Sequence, residues 1–294
     1  MTDITISSRF TAPRIIAEIG CNHMGSVDTA RTLIEAAARC GADVVKFQKR
    51  SPRELLTPEQ YDKPYEGPNS FGRTYGQHRE FLEFPMEVHA ELKMFSERLG
   101  VEYGSSVWDV TSAREIAGLG PKSIKVPSAC NNHTALLEVL RDEYQGEVHV
   151  STGMSTPEEI EAAVEVFAAC PTRLVLYSCT SGYPVPFSDV CLLEVPRLRE
   201  MFVATGRAKS VAFSGHHNGI AIDLAAALLG VEAIERHFTM DRTWKGSDHA
   251  ASLEPGGLSR LVRDVRNLSS AWQYKASPIL PIEQPQREKL KHRS

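Results

Sequence analysis

Several features that mark the specialised protein classes are missing from this sequence. None of its 6 cysteines (Cys21, Cys40, Cys130, Cys170, Cys179, Cys191) forms a CxxC pair, which argues against a zinc ribbon or a thioredoxin-type motif. No apolar run is long enough to span a bilayer, and the opening MTDITISSRF has no apolar signal core. No GxGxxG follows the first β-rich run, so a dinucleotide-binding sheet lacks its fingerprint. Dense basic runs are missing too: the net charge is -4, and the short basic tail REKLKHRS reads as a solvated terminus, which argues against a general nucleic-acid binder. The expectation is a reduced, cytoplasmic enzyme with its thiols mostly packed inside and with neither membrane nor nucleic acid as partner.

What remains is an ordinary globular composition. The 294 residues are 42% hydrophobic and 24% charged, enough to bury a substantial core without disulfides. Short β-rich runs at 14–19, 42–48, 101–106, 123–126, 147–152, 173–179, 210–214 and 232–238 alternate with helical patterns from one end to the other. The helical patterns cover 26–39, 86–99, 112–117, 134–140, the stretch after Thr156, 192–201, 219–230 and 255–272. Thr156 before Pro157 is a good helix start, an N-cap followed by proline at the first helical position.

Strands that alternate with helices pair in parallel, because a helix is the natural crossover between parallel strands. Eight repeats of continuous apolar strands predict a single-domain α/β fold, a (β/α)8 TIM barrel over residues 1–275 with a tail over 276–294. A doubly wound open sheet is the alternative. Residues 50–85, between the second strand and its helix, far exceed an ordinary connection of about two to six residues. This long loop after strand 2 holds Tyr61, Tyr65, Asn69, Tyr75 and His78, and an active-site lid is expected there rather than a disordered insertion.

Barrel active sites form at the C-terminal ends of the strands, so chemistry should concentrate there. The strand ends carry Glu18; Lys46 and Gln48; Ser105 and Ser106; Lys125 and Ser128; Ser151 and Thr152; Thr180 and Ser181; Ser214 and His216; Glu235 and His237. His216 and His237, on neighbouring strands, can share one metal in an open site suited to Mn2+ or Mg2+; alternatively they only cap or hydrogen-bond. His217 should point elsewhere. Lys46 and Lys125 with the hydroxyls of Ser106, Ser128, Ser151 and Ser214 make a pocket for a phosphorylated carboxylate; alternatively the lysines pair with Glu18 and Glu235 in an internal salt-bridge layer.

At these residues the sequence resembles the N-acetylneuraminate (sialic acid) synthase family, along most of its length. The resemblance rests on IIAEIGCNHMGS (15–26), GADVVKFQ (41–48), STGMSTPEEIEAAV (151–164), CTSGYPVPFSDVCL (179–192) and IERHFTMDRTWKGSDHAASLEP (234–255). It implies condensation of phosphoenolpyruvate with a sugar aldehyde, N-acetylmannosamine-like or related, to a 2-keto-3-deoxy (nonulosonic) sugar acid with release of phosphate. By resemblance, Lys46, Ser106, Lys125, Ser128, Ser151, Ser181 and Ser214 bind phosphoenolpyruvate, and His216 and His237 hold Mn2+ or Mg2+. Glu18, Gln48, Asn69, Tyr183 and Asp248 contact the sugar, and Glu18, Lys46, Lys125 and His237 carry the catalysis.

The sequence also departs from the family pattern. KVPSACNN (125–132) lacks the glutamate of the family's fourth-strand motif, SGHH (214–217) has Gly215 for an aspartate, and SSV (105–107) stands for Ser-Thr-Pro. The family continues beyond the barrel into a small antifreeze-like domain that reaches across a dimer to the partner's sugar site. Here the expectation is the barrel alone, with the acceptor sugar, the choice of metal and any homo-oligomer left open. Two other readings stand beside this one. The first is a barrel aldolase or lyase acting on pyruvate, with Lys46 beside Phe47 as its imine-forming lysine. The second is a barrel that binds a sugar acid without turning it over.

Overall fold

The structure is a computed structural model that describes residues 9–292. Eight strands, β1 (Arg14–Gly20), β2 (Val44–Lys49), β3 (Glu102–Val107), β4 (Ser123–Val126), β5 (Glu147–Ser151), β6 (Leu174–Cys179), β7 (Ser210–Gly215) and β8 (Ala233–His237), follow one another in a closed barrel. Every neighbouring pair is parallel, including β1 with β8. The predicted barrel is thus the observed one, and closure leaves no open edge, as an open sheet would.

The helices pack outside the barrel, where the sequence patterns put them. Val27–Cys40 starts at the Ser26 cap and buries Ala30, Leu33, Ile34, Ala36 and Ala37 on one face. Pro157–Val166 opens with a full capping box, Thr156 and Glu159 each bonding the other's backbone N–H. The pattern over 192–201 yields a shorter helix, Glu194–Leu198, which widens into a π-type turn over Arg199–Val203. β2 begins at Val44 rather than Ala42 because Asp43 turns its carboxylate to the Ile15 N–H (2.7 Å). Among the described residues, no helix is long and apolar enough to cross a membrane.

The two-residue strand period stacks two layers inside the barrel. The lower layer is apolar: Ile16, Val44, Val175, Tyr177, Ala212 and Ala233 form a separate buried cluster. Two residues further along the same strands come Glu18, Lys46, Cys179, Ser214 and Glu235. The apolar layer closes the barrel below the charged one, and each large apolar side chain it buries stabilises the fold by roughly 1.5–3 kcal/mol.

The 50–85 connection is ordered. It folds into three short helices, Pro52–Leu55, Pro58–Asp62 and Tyr75–Leu82, with a bridge between Pro64 and Thr74. Thr57 and Thr74 cap the second and third of these by accepting from the backbone N–H groups of Gln60 and Gln77.

Candidate active site

A cavity of about 350 Å³ opens at the C-terminal ends of the strands. Glu18, Lys46, Gln48, Ser106, Lys125, Ser128, Ser151, Ser181, Tyr183, Ser214, His216, His237 and Asp248 all line it, so nearly every residue singled out from the sequence meets there. Asn69 does not. Its side-chain oxygen accepts the Gly246 N–H (3.2 Å), tying the lid to the segment after β8 rather than reaching the cavity. Ser105, Thr152 and Thr180 also turn away, each donating its hydroxyl to a backbone carbonyl.

The floor is an ionic layer. Lys46 Nζ lies 2.6 Å from Glu18, 3.7 Å from Glu235, and donates to Ser106 Oγ (2.7 Å). Lys125 Nζ lies 2.7 Å from Glu235 and 4.1 Å from the centre of the Tyr177 ring below it. Ser214 donates to the same Glu235 oxygen (3.3 Å). The salt-bridge reading of the lysines therefore holds, and that layer faces the cavity. Burial works against the Lys46 ammonium, but Glu18 and Glu235 outweigh it and raise its pKa. Burial lowers Lys125, with Lys46 adding to the effect and Glu235 opposing it. Burial also opposes the Glu235 carboxylate, yet Lys125 and Lys46 hold it below the usual range. The imine assignment to Lys46 is corrected accordingly: its contacts keep it protonated, and Lys125 is the lysine whose ammonium is weakened.

One side of the mouth is a ring of serine hydroxyls from β4, β5, β6 and β7. Gly153 makes the ring close: a Cβ there would lie 2.5 Å from Ser181 Oγ and 2.7 Å from Ser128 Oγ. Ser128 Oγ is buried without a hydrogen-bond partner. Pro127 and Ala129 line the wall where the family's glutamate is absent, while Cys130 turns into the core.

On the opposite side, Gln48 donates to Glu18 (2.8 Å), and Arg50 bonds Gln48 and pairs with Glu83 (3.1 Å). The Arg50 guanidinium lies 4.3 Å over the Trp108 ring. Arg50, Arg79, Trp108, Met154 and Ser247 line the cavity without having been chosen from the sequence. Arg50 and Trp108 stand only two positions beyond Gln48 and Ser106, a signal that was available. Arg79 belongs to a lid helix, and nothing local announced it.

His216 and His237 face each other with ring centres 5.4 Å apart, and the Tyr183 ring lies 4.4 Å from His216. His216 Nδ1 bonds the Thr180 carbonyl (2.9 Å), which orients the ring and leaves Nε2 free. His237 Nδ1 is buried without a hydrogen-bond partner, 3.9 Å from Asp248. Burial, reinforced by His237, pushes His216 down to about 3, so its ring is neutral, the form that ligates a metal. The residues fit a divalent ion held by two imidazoles with oxygen ligands completing its shell. Among the described residues no three His, Cys, Asp or Glu side chains form a metal cage.

His217 points away from the cavity. It packs with Arg236 (3.2 Å) and Asp223 (3.4 Å) under the helix Ala221–Leu228. A Cβ on Gly215 would lie 2.8 Å from the rings of both His217 and Phe213, so the family's aspartate has no room beside this histidine.

Fold and mouth together define a (β/α)8-barrel enzyme whose polar groups gather at one end. The NeuB family profile matches residues 33–277, and the chain belongs to the NeuB family. It is 36% identical over 276 residues to the N-acetylneuraminate-9-phosphate synthase of Homo sapiens, covering 94% of this chain and 76% of that protein. It is 34% identical over 261 residues to the N,N'-diacetyllegionaminic acid synthase of Campylobacter jejuni, covering 87% and 76%. Among solved structures, the N-acetylneuraminic acid synthetase of Leptospira borgpetersenii in complex with citrate superposes with a TM-score of 0.77 at 28% identity, covering 96% of this chain and 94% of that one. The protein is an enzyme of the sugar-acid synthase kind.

Proposed function

We propose that the protein condenses phosphoenolpyruvate with the open-chain aldehyde of an aldose, N-acetylmannosamine-like or related, to give a 2-keto-3-deoxy sugar acid of the nonulosonic type and inorganic phosphate. The observation that carries the reading is the two-sided mouth, an ionic floor with hydroxyl donors on one side and sugar-type hydrogen-bonding groups on the other. The relatives' names, synthases of N-acetylneuraminate 9-phosphate and of diacetyllegionaminic acid, support the product class.

Phosphoenolpyruvate takes the serine side. Its phosphate and carboxylate meet the ammoniums of Lys46 and Lys125 and the hydroxyls of Ser106, Ser128, Ser151, Ser181 and Ser214. Glu235, shared between the two lysines, keeps both aimed into the mouth before substrate arrives. Glu18, Gln48, Tyr183 and Asp248 bind the acceptor's hydroxyls and set its aldehyde over the phosphoenolpyruvate methylene. The methylene carbon bonds to the aldehyde carbon, and the aldehyde oxygen takes up a proton to become a hydroxyl. Water adds to the cationic carbon so formed, and the bond from that carbon to the phosphate oxygen breaks, leaving the keto acid. His216 and His237 would hold Mn2+ or Mg2+, which supplies Lewis-acid polarisation when bound. The reading assigns the enzyme to the cytoplasm, where phosphoenolpyruvate is made.

Phosphate release from phosphoenolpyruvate, followed with Mn2+ across a panel of N-acylated and plain hexoses, tests the reading. Release should require both a sugar and the metal and should vanish in His237→Ala. A folded, metal-loaded protein that releases no phosphate with any sugar would contradict it.

A further inference from the structure

The Lys125 ammonium has a carboxylate on one side and an aromatic face on the other. Glu235 meets it at 2.7 Å, and the centre of the Tyr177 ring lies 4.1 Å from Nζ, beneath the cavity floor and outside its lining. A cation over the face of an aromatic ring is attracted by the ring's electron density, most strongly where water is kept out. Lys125 and Tyr177 are both buried. The ring has room to lie under a lysine of β4 because its neighbours in the lower layer are small. Ala212 stands opposite it in register on β7, and Ala233 of β8 belongs to the same cluster.

The ring is also locked from behind. In an otherwise apolar layer its hydroxyl needs a partner, and His149 of β5 supplies one. His149 Nδ1 lies 3.0 Å from the Tyr177 hydroxyl, and Nε2 lies 3.4 Å from Glu147. Glu147 lies 2.5 Å from Lys209, which also meets Glu232 at 2.6 Å. The His149 bond and Lys209 hold the Glu147 carboxyl down at about 2, so it is an acceptor at neutral pH. Burial lowers His149 against the pull of Glu147, so its ring is neutral. A neutral imidazole has a single N–H, and the carboxylate takes it at Nε2. Nδ1 is then bare, and the Tyr177 hydroxyl must donate to it. Each bond in this chain strengthens the next, and a phenol that donates its proton gains electron density.

We propose that Tyr177, locked by His149 and Glu147, is a positioning residue whose ring face seats the Lys125 ammonium and keeps it charged and aimed at the anion of phosphoenolpyruvate. The identity of that anion rests on the condensation reading; the seat does not. The other charged and titratable groups around Lys125 are Glu235 on β8, Lys46 on β2, Cys179 on β6, His149 on β5 and His216 after β7. Burial and Lys46 work against the ammonium, while Glu235 and the Tyr177 face support it.

The first readout needs no substrate. Competitive labelling with acetic anhydride, read at Lys125 by peptide mass, compares folded variants of the full chain with the unaltered protein. Tyr177→Leu removes the face, and Lys125 should label about 10-fold faster near pH 7 because more of it is neutral. Tyr177→Phe keeps the face and loses the lock, and His149→Leu does the same from the other end, so each should give a smaller rise. Lys46, held by Glu18 and Glu235, should label as before; a general loosening would quicken both lysines alike. The second readout is phosphate release with Mn2+ and an accepted sugar. In Tyr177→Leu the KM for phosphoenolpyruvate should rise about 10-fold with the KM for the sugar unchanged, and Tyr177→Phe should recover most of that loss. Labelling of Lys125 that stays the same in every folded variant, or a rise at Lys46 in step with it, would overturn the proposal. A protein that labels as expected and releases no phosphate with any sugar keeps the seat and loses the condensation reading.

Discussion

The carboxylate of Glu235 meets the ammonium of Lys125 at 2.7 Å across the barrel mouth, joining strands that share no hydrogen bonds. Both side chains are about nineteen-twentieths buried, so neither charge has much water to fall back on. Replacing Glu235 by Gln leaves Lys125 unpaired and Lys46 with one partner fewer. Unfolding by urea should show a loss of about 3–5 kcal/mol, the usual consequence of stranding a buried charge. A loss under 1 kcal/mol would mean that the layer is wetter than its burial implies.

Acid stability should fall through the titration of buried histidines. Burial pushes His23 down to about 3, with His89 and Arg50 adding to it, and burial pushes His89 to about 4. Their folded values lie below the unfolded value of about 6.5, so the unfolded chain binds the extra protons. The stability they permit is fully present above pH ~6.5 and is lost as pH falls toward the folded values. Each contributes a slope of about 1.4 kcal/mol per pH unit in that window. Urea midpoints measured from pH 7 to pH 4 should flatten by one such slope in His23→Gln, and an unchanged slope would refute the assignment.

Gly215 is set by contact rather than by conformation. In Gly215→Ala the new methyl group would have to displace the His217 or Phe213 ring, each 2.8 Å from its position. Thermal unfolding should show a loss of about 1–3 kcal/mol, as overpacking generally does. Shortening the neighbour as well, in Gly215→Ala with His217→Ala, should lose less than the two single changes added together.

Borohydride with pyruvate distinguishes condensation from imine chemistry. Lys46 is held protonated by Glu18 and Glu235, and Lys125 keeps Glu235 within 2.7 Å. Neither lysine should be trapped at neutral pH, as read by intact mass. A pyruvyl adduct on Lys125, the lysine whose ammonium is weakened, would move the protein to the pyruvate aldolases.

Much of this was legible before any coordinates. Periodicity gave the barrel because eight strand patterns alternate with eight helical ones, and strand-end position gave the cavity because the rim of a parallel barrel must face a ligand. Strand-end position also brought Glu18 and Lys46 to the mouth, though it did not show the sharing of Glu235 between two lysines, which depends on distances across the mouth. Asn69 was misplaced because a lid's path is fixed by tertiary contacts, here the bond from the Gly246 N–H. Arg79 went unseen for the same reason. His217 could be set aside from the sequence, but its burial against Arg236 and Asp223, and its consequence for Gly215, needed the fold.

The most direct test of the central claim follows the oxygen that joins carbon to phosphorus in phosphoenolpyruvate. With that bridging oxygen isotopically labelled, Mn2+ and an accepted sugar, the label should appear in inorganic phosphate, one phosphate for each sugar acid formed. Phosphate without the label, or a sugar acid formed from pyruvate with no phosphate released, would contradict condensation by carbon–oxygen cleavage.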